Sequence, residues 1–328
     1  MNLFNHTGQF KLPKDLLFAF ISILLLMLTV VWLSWWCTTK IREVVTAQFN
    51  QEQFALANNI SVSLEREWNF LQREIIMVRS RLLSKTANLR PGILDFMQSM
   101  HLEKGIQELS LVHSKSAAWE NLHLPSPEKL STNEIWLSAP FLENEALYMV
   151  AAITLQKDLA LAYLIKINIF VRSFLSSIRS GDTGYAWLID SKGNFLYHPY
   201  NKFIGKNAFS IRSTRDPSLS LHKINFIQKE KMLNGDEGTS SYISGWHRGE
   251  VGRIEKLIAY VPINLTAKNP RHWSVAVVAP QAEVNQALHA VLSRLFWLQG
   301  FIFLLVISAG CTHLWLERKR SRQLKAEV

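Results

Sequence analysis

Cysteine is nearly absent. The 328 residues hold two, Cys37 and Cys311, and both sit in or beside long apolar runs. The region between them has none, so no disulfide braces it and its stability rests on its own core. Proline and glycine are missing from Thr38 to Leu83, and a stretch so free of breakers reads as one long helix. Catalytic signatures are missing too: there is no Gly-rich phosphate loop, no Gly-x-Ser-x-Gly elbow and no His-Glu-x-x-His. The ten histidines are scattered without ligand spacing, so no metal site, no cofactor and no catalytic domain is expected. The formal charge of +10 forms no single basic block outside the C-terminal tail, which argues against a nucleic-acid partner.

What the chain does have is two long apolar runs. Leu16–Cys37 and Leu295–Leu316 each hold 22 residues without a charge, and roughly 20 helical residues cross the hydrocarbon layer of a bilayer. Trp32, Trp35 and Trp36 cluster at one end of the first run, and Trp297 and Trp315 lie near the ends of the second. Such rings favour the membrane interface. The first run is too long for a cleaved leader, and no small-residue cleavage site follows Trp35-Trp36. Lys11 and Lys14 precede the first run, and Arg318, Lys319, Arg320, Arg322 and Lys325 follow the second. Basic flanks stay in the cytoplasm, so both termini are placed inside and residues 38–294 outside.

Between the runs, the long helix carries a seam. Ile60, Leu64, Trp68, Leu71, Ile75, Val78 and Leu82 recur in steps of three and four, and fit packing on the domain's own sheet, a dimer contact, or both along different lengths of the helix. Arg90-Pro91-Gly92 ends this element, and a short amphipathic helix follows to about Glu103. Strands are expected at Ile106–His113, Glu134–Leu142, Ala146–Leu155 and Leu159–Ile169, and a connecting helix at 169–180. Later strands are expected at Thr239–Ile243, Lys256–Val261 and Trp273–Ala279, after a helical or irregular stretch, 211–234. A helix starting at Pro280 then runs into the second apolar run. A long helix followed by groups of strands reads as an α+β fold with antiparallel sheets.

The most informative stretch is Gly181–Lys206, GDTGYAWLIDSKGNFLYHPYNKFIGK. Tyr185–Asp190 reads as a strand, Ser191–Asn194 as a tight turn, and Phe195–His198 as the returning strand stopped by Pro199. The ordered pieces TGYAWLID, YHP and IGK, followed by EGTSSY, LIAYVPI and WSVAVVAP, resemble the Cache family of PAS-like extracytoplasmic sensor domains. The resemblance implies two transmembrane helices flanking a long helix and two PAS-like antiparallel-sheet modules, a double Cache arrangement. The expected divisions are a cytoplasmic N-terminus (1–15), a first transmembrane helix (16–37) and a long periplasmic helix (38–83). A membrane-distal module (84–170), a membrane-proximal module (171–283), a second transmembrane helix (295–316) and a basic cytoplasmic tail (317–328) follow.

Such modules hold a small molecule against a curved sheet, in an apolar pocket with a few polar groups. From the proximal module the candidate ligand contacts are Tyr185, Trp187, Tyr197, His198, Tyr242 and Tyr260, with Trp246 beside them. Arg90, His113, Trp119, Trp136 and Tyr148 are the distal candidates by position and type. Alternation sets Tyr185 and Trp187 on one face of their strand and Ala186 and Leu188 on the other. Asp182 and Asp190 flank that strand as turn caps, and His198 is expected to bond within its own turn. The arginine, tryptophan, tyrosine and aspartate constellation of amino-acid-binding members is not found, and an organic anion is the favoured ligand. The architecture, with its LERKRSRQLKAEV exit, resembles the input half of sensor histidine kinases, and residues 317–328 are too short to hold a kinase. The expected function is therefore ligand sensing for a signal receptor, with a cytoplasmic kinase or other output domain as partner and a homodimer as the default assembly. The alternatives are a membrane-anchored binding or scaffold protein, or the input half of a chemoreceptor or diguanylate cyclase.

Overall fold

The computed structural model describes residues 14–84, 105–131, 133–215, 218–265 and 272–326. Arg90 and the short helix expected before Glu103 lie outside these residues. The chain divides into two compact units, one of Phe49–Glu283 and one of Met1–Gln48 with Val284–Val328.

In the second of these, the first part of helix α1 (Lys14–Leu83) lies beside the helix α6 (Gln281–Ala326). Ser34 Oγ donates to Gln299 Oε1 at 2.7 Å, and a Cβ on Gly310 would stand 3.0 Å from Ile23 Cδ1. Each helix contains a window with a mean hydropathy of 2.0, long and apolar enough to cross a membrane. Trp32, Trp35, Trp297 and Trp315 are all exposed on these helices.

The Phe49–Glu283 unit is built on two five-stranded antiparallel sheets. The first has the order β1 (Ile106–His113), β5 (Leu159–Lys166), β4 (Ala146–Gln156), β2 (Trp136–Leu137), with β3 (Phe141–Glu143) also paired to β4. The second has the order β7 (Phe195–Tyr197), β6 (Tyr185–Ile189), β10 (His272–Pro280), β9 (Glu250–Asn264), β8 (Gly238–His247). Helix α2 (Ala117–Asn121) follows β1, helix α3 (Ile167–Leu175) links the sheets, and α4 (Ala208–Arg215) and α5 (His222–Phe226) cover one face of the second sheet.

The seam of α1 is the backbone of one large core. Ile60, Leu64, Trp68, Leu71, Ile75, Val78 and Leu82 are all buried, in one cluster with inward residues of both sheets, among them Met149, Tyr163, Leu188 and Val275. Each such aliphatic or aromatic side chain contributes about 1.5–3 kcal/mol of burial. Polar groups fix the register: Trp68 Nε1 donates to Leu265 O at 2.5 Å, Ser61 Oγ to Pro262 O at 2.6 Å, and Asn264 N to Glu65 Oε1 at 2.7 Å. Of the two uses open to the seam, the domain's own sheets have taken it, so it is not left for a second copy.

Strands of the second sheet are buried on both faces, because alternate residues serve different cores. Ala186 and Leu188 join the α1 core, whereas Tyr185, Trp187 and Ile189 join a second core under α4 and α5. The first sheet likewise has a small second core around Trp119, Leu124, Leu130 and Val150.

The strands expected at Thr239–Ile243 and Lys256–Val261 are longer, Gly238–His247 and Glu250–Asn264, and two other elements differ. The strand Glu134–Leu142 is broken into β2 and β3, because Ser138 Oγ accepts the Val150 N–H at 2.8 Å and Pro140 offers no N–H to continue the ladder. The strand expected to Ile169 stops at Lys166, and the linking helix runs Ile167–Leu175. Ile167, Phe170, Val171 and Leu175 are the buried residues of that helix, at helical spacing.

Candidate functional site

Asp190 sets up the hairpin that starts the site. Its carboxylate accepts the backbone N–H groups of Lys192 (2.9 Å) and Asn194 (2.8 Å), and Gly193 takes φ +81, a conformation that favours glycine. The turn returns Phe195 alongside Trp187, with ring centroids 5.6 Å apart and nearly perpendicular. Beyond β7 the chain curls back, and His198 Nδ1 accepts the Tyr200 N–H at 3.0 Å. That bond within the turn puts the other edge of the imidazole among rings, 5.5 Å from Tyr185 and 5.7 Å from Trp246.

Above this face lies a partly open pocket with a cavity volume of ≈ 40 Å³, bounded by Tyr185, Trp187, Phe195, His198, Phe203, Tyr242 and Trp246. Leu219 and Leu221, between α4 and α5, close it from above, and Ser244 and Gly245 form part of one wall. Into this aromatic enclosure come two cations, Arg212 from α4 and Lys256 from β9. The Lys256 ammonium donates to Trp246 O at 2.6 Å and to the Tyr185 hydroxyl at 3.1 Å, and it lies 5.1 Å from the centre of the Tyr185 ring. Arg212 donates to Gln228 Oε1 and stands 5.7 Å from the Trp187 ring centre and 5.6 Å from that of Phe195. Gln228 is fully buried within a π-helical turn, Ile227–Lys231, a distortion common at functional sites. Among the described residues no Asp or Glu lines the pocket and neither cation forms an ion pair.

The electrostatic consequence is plain. Burial, with Arg212 as a like-charged neighbour, pulls the Lys256 ammonium down to about 7 from the ordinary 10.5. Burial lowers the Arg212 guanidinium as well. It pushes Tyr185 well above the usual phenol range, and Tyr242 up to about 12 despite the opposing pull of Arg212. The pocket thus stores positive charge that it does not neutralise.

One wall of the pocket continues to the start of α6. The His247 ring stacks on Tyr185 at 5.4 Å, and its Nε2 lies 2.7 Å from Thr183 Oγ1. The Thr183 hydroxyl donates to Glu283 Oε1, so His247 Nε2–H is the donor to Thr183. The same Glu283 carboxylate accepts the backbone N–H groups of Asp182 (2.8 Å) and Thr183 (3.0 Å). Gly181, at φ +63, makes this cradle, and a Cβ there would stand 2.1 Å from Glu283 Oε2. Burial, with Lys256 and Arg248 adding to it, drops His247 to about 4, which keeps the ring neutral.

Of the residues singled out from sequence, Tyr185, Trp187, His198 and Tyr242 line this pocket, together with Trp246. Tyr197 does not: it packs toward the α1 core with Leu196, and the pairing of β6 with β7 shifts register between Leu188 and Ile189, upsetting simple alternation. Tyr260 belongs to the core under α5 but stands away from the pocket, its hydroxyl toward Gly238. In the first sheet, Trp119 and Trp136 pack in the small second core, with Trp119 Nε1 donating to Pro125 O at 3.0 Å. Tyr148 lies 6.2 Å from Phe141, and His113 is exposed. These distal candidates are not brought together around a cavity among the described residues. Arg212 and Lys256 went unnoticed in the sequence. For Lys256 a signal existed, since alternation places it on the inward face with Ile258 and Tyr260; nothing local marked Arg212.

No curated protein sequence matches the chain. Solved structures with a similar fold include the extracellular domain of vpHK1S-Z8, a protein assigned as a histidine kinase, at 14% identity and a TM-score of 0.50, covering 74% of this chain and 96% of that one. The ligand-binding domain of Mlp24 with asparagine is 12% identical with a TM-score of 0.49, covering 76% and 99%. The periplasmic sensory domain of the Campylobacter jejuni chemoreceptor Tlp1 is 13% identical with a TM-score of 0.47, covering 73% and 98%. The model of the Cache domain matches residues 38–288, about three-quarters of the sequence, and the chain belongs to that family of ligand-binding sensor domains.

Proposed function

We propose that this chain is the input portion of a two-span receptor, whose ligand is a small organic anion held in the pocket of the second sheet. The observation that carries the reading is the pair of cations, half-buried Arg212 and buried Lys256, set among aromatic rings without a carboxylate among the described residues. A buried charge without a counter-ion is costly, and a ligand carboxylate relieves that cost on binding. The proposed layout keeps residues 16–37 and 295–316 as transmembrane helices, both termini in the cytoplasm, and residues 38–294 outside. The first and second sheets correspond to the distal and proximal modules of that layout.

The message leaves through α6. Glu283 sits in its first turn and is bonded to the Gly181–Thr183 cradle, which touches the pocket through His247 and Tyr185. A ligand that binds one arrangement of this wall better than another shifts the balance between them, and no other energy source is needed. The partner that reads the shift is a cytoplasmic kinase or another output domain, and a homodimer remains the proposed assembly. Its contact would lie away from the Ile60–Leu82 seam, which is already buried.

The test is thermal unfolding of the full chain in detergent micelles against a panel of small carboxylates, amines and neutral analogues. Carboxylates should raise Tm, and Arg212→Gln should remove that response. Stabilisation by amines or neutral compounds alone would discard the anion reading. Reporter fusions that put Tyr185 or Tyr260 on the cytoplasmic side would discard the topology.

A further inference from the structure

The same pocket says more about its ligand than the sign of its charge. This step rests on the reading just given, that the pocket is the ligand site. A zwitterion such as an amino acid presents an ammonium group next to its carboxylate. The ammonium then needs an acceptor, by preference a carboxylate. Among the described residues the lining offers no carboxylate, and Trp246 O already accepts from Lys256. Aromatic faces do attract cations, but here the protein's own cations occupy them. Lys256 lies over Tyr185 and Trp246, and Arg212 over Trp187 and Phe195. A ligand ammonium would enter a site that already holds two basic side chains, Arg212 and Lys256. A ligand body made of a flat ring, by contrast, can meet these rings edge-on.

We infer that the pocket selects an aromatic monocarboxylate without an ammonium group, Arg212 and Lys256 holding the carboxylate while the ring lies among Trp187, Phe195 and Trp246. Arg212 provides the directional part, since its planar guanidinium has donors beyond the one given to Gln228, and Lys256 acts as a point charge with a third proton to offer.

Three probes separate charge from shape at constant ring size: phenylacetate, its α-amino analogue L-phenylglycine, and benzylamine. Calorimetric titration of the full chain in micelles should show phenylacetate binding. L-Phenylglycine should bind about 100-fold more weakly or not at all, which is what leaving one buried polar group unpaired costs, and benzylamine should give no heat. Acetate, with the same charge and no ring, should also bind more weakly than phenylacetate. Arg212→Gln should weaken phenylacetate by about 100-fold, and Lys256→Gln should weaken it independently, both with unchanged circular dichroism. Equal binding of phenylglycine and phenylacetate, with both variants impaired, would overturn the selectivity while leaving the pocket as the site. Phenylacetate binding untouched by either variant would overturn the site itself. No binding of phenylacetate to the native chain would overturn the assignment of an aromatic carboxylate.

Discussion

Between pH 7 and pH 9, ligand-free protein should become more stable, because of Lys256. In the unfolded chain a lysine holds its proton up to its ordinary value of 10.5, whereas in the folded chain Lys256 releases it near 7. Below 7 both states are protonated, and the fold carries the full cost of an unpaired buried charge. Above 7 the folded state sheds the proton and the unfolded state keeps it, so the cost fades as pH rises toward 10.5. From pH 7 to 9 the folded state loses its remaining half proton while the unfolded state loses almost none. Integrating that difference at 1.36 kcal/mol per pH unit gives a gain of about 2 kcal/mol. Neighbouring groups leave this window clear. His247, lowered to about 4, adds its own rise in stability below its ordinary 6.5. Tyr185 and Tyr242, both raised, act only near 10 and above, with the opposite sign. Denaturant titrations of the full chain in micelles at pH 7, 8 and 9, followed by circular dichroism, measure the gain. In Lys256→Met the rise should vanish. A native stability that is flat or falling over this range, or a rise of the same size in Lys256→Met, would refute the claim that an unneutralised charge is buried there.

Other outcomes follow from the same geometry. If a carboxylate restores the proton to Lys256, affinity for phenylacetate should decline above pH 7 by up to tenfold per unit, and the decline should be absent in Lys256→Met; isothermal titrations from pH 6.5 to 9 measure it. Glu283→Ala removes the acceptor for the Asp182 and Thr183 amides, so their hydrogen exchange should quicken by about tenfold or more while the phenylacetate constant stays within about threefold. Mass spectrometry of peptides spanning 178–186 reads this, and unchanged exchange would remove Glu283 from the cradle. Trp68→Phe keeps the ring but loses the donor to Leu265 O, and should cost about 1–3 kcal/mol by urea titration.

The hairpin that starts the site was readable because local chemistry decides it: Asp190, Gly193 and Asn194 make the turn whatever the rest of the chain does. The alternation of Tyr185 and Trp187 against Ala186 and Leu188 was readable for the same reason, as was the α1 seam, although its spacing could not say what it would pack against. Tyr197 was misplaced because a register shift, set by pairing with β6, is invisible in a pattern of alternation. Arg212 was invisible for a different reason. It lies in ten residues, Phe209–Ser218, that are mostly polar, and its place in the pocket depends on Trp187, Phe195 and Gln228 arriving from elsewhere in the chain. The break at Ser138–Pro140 could have been foreseen from the proline, but the hydroxyl that accepts Val150 N–H is a tertiary contact.

The passage from β10 to α6 has no loop: Pro280 is the last residue of the strand and Gln281 the first of the helix. Flexible connectors absorb small displacements by adjusting their dihedrals, and here there is nothing to do the absorbing. A slide or tilt of the central strand of the second sheet must therefore reach the helix undamped, with its direction preserved. Lengthening this joint by two or three glycines would leave the pocket intact and make the coupling slack, so that occupancy and output part company.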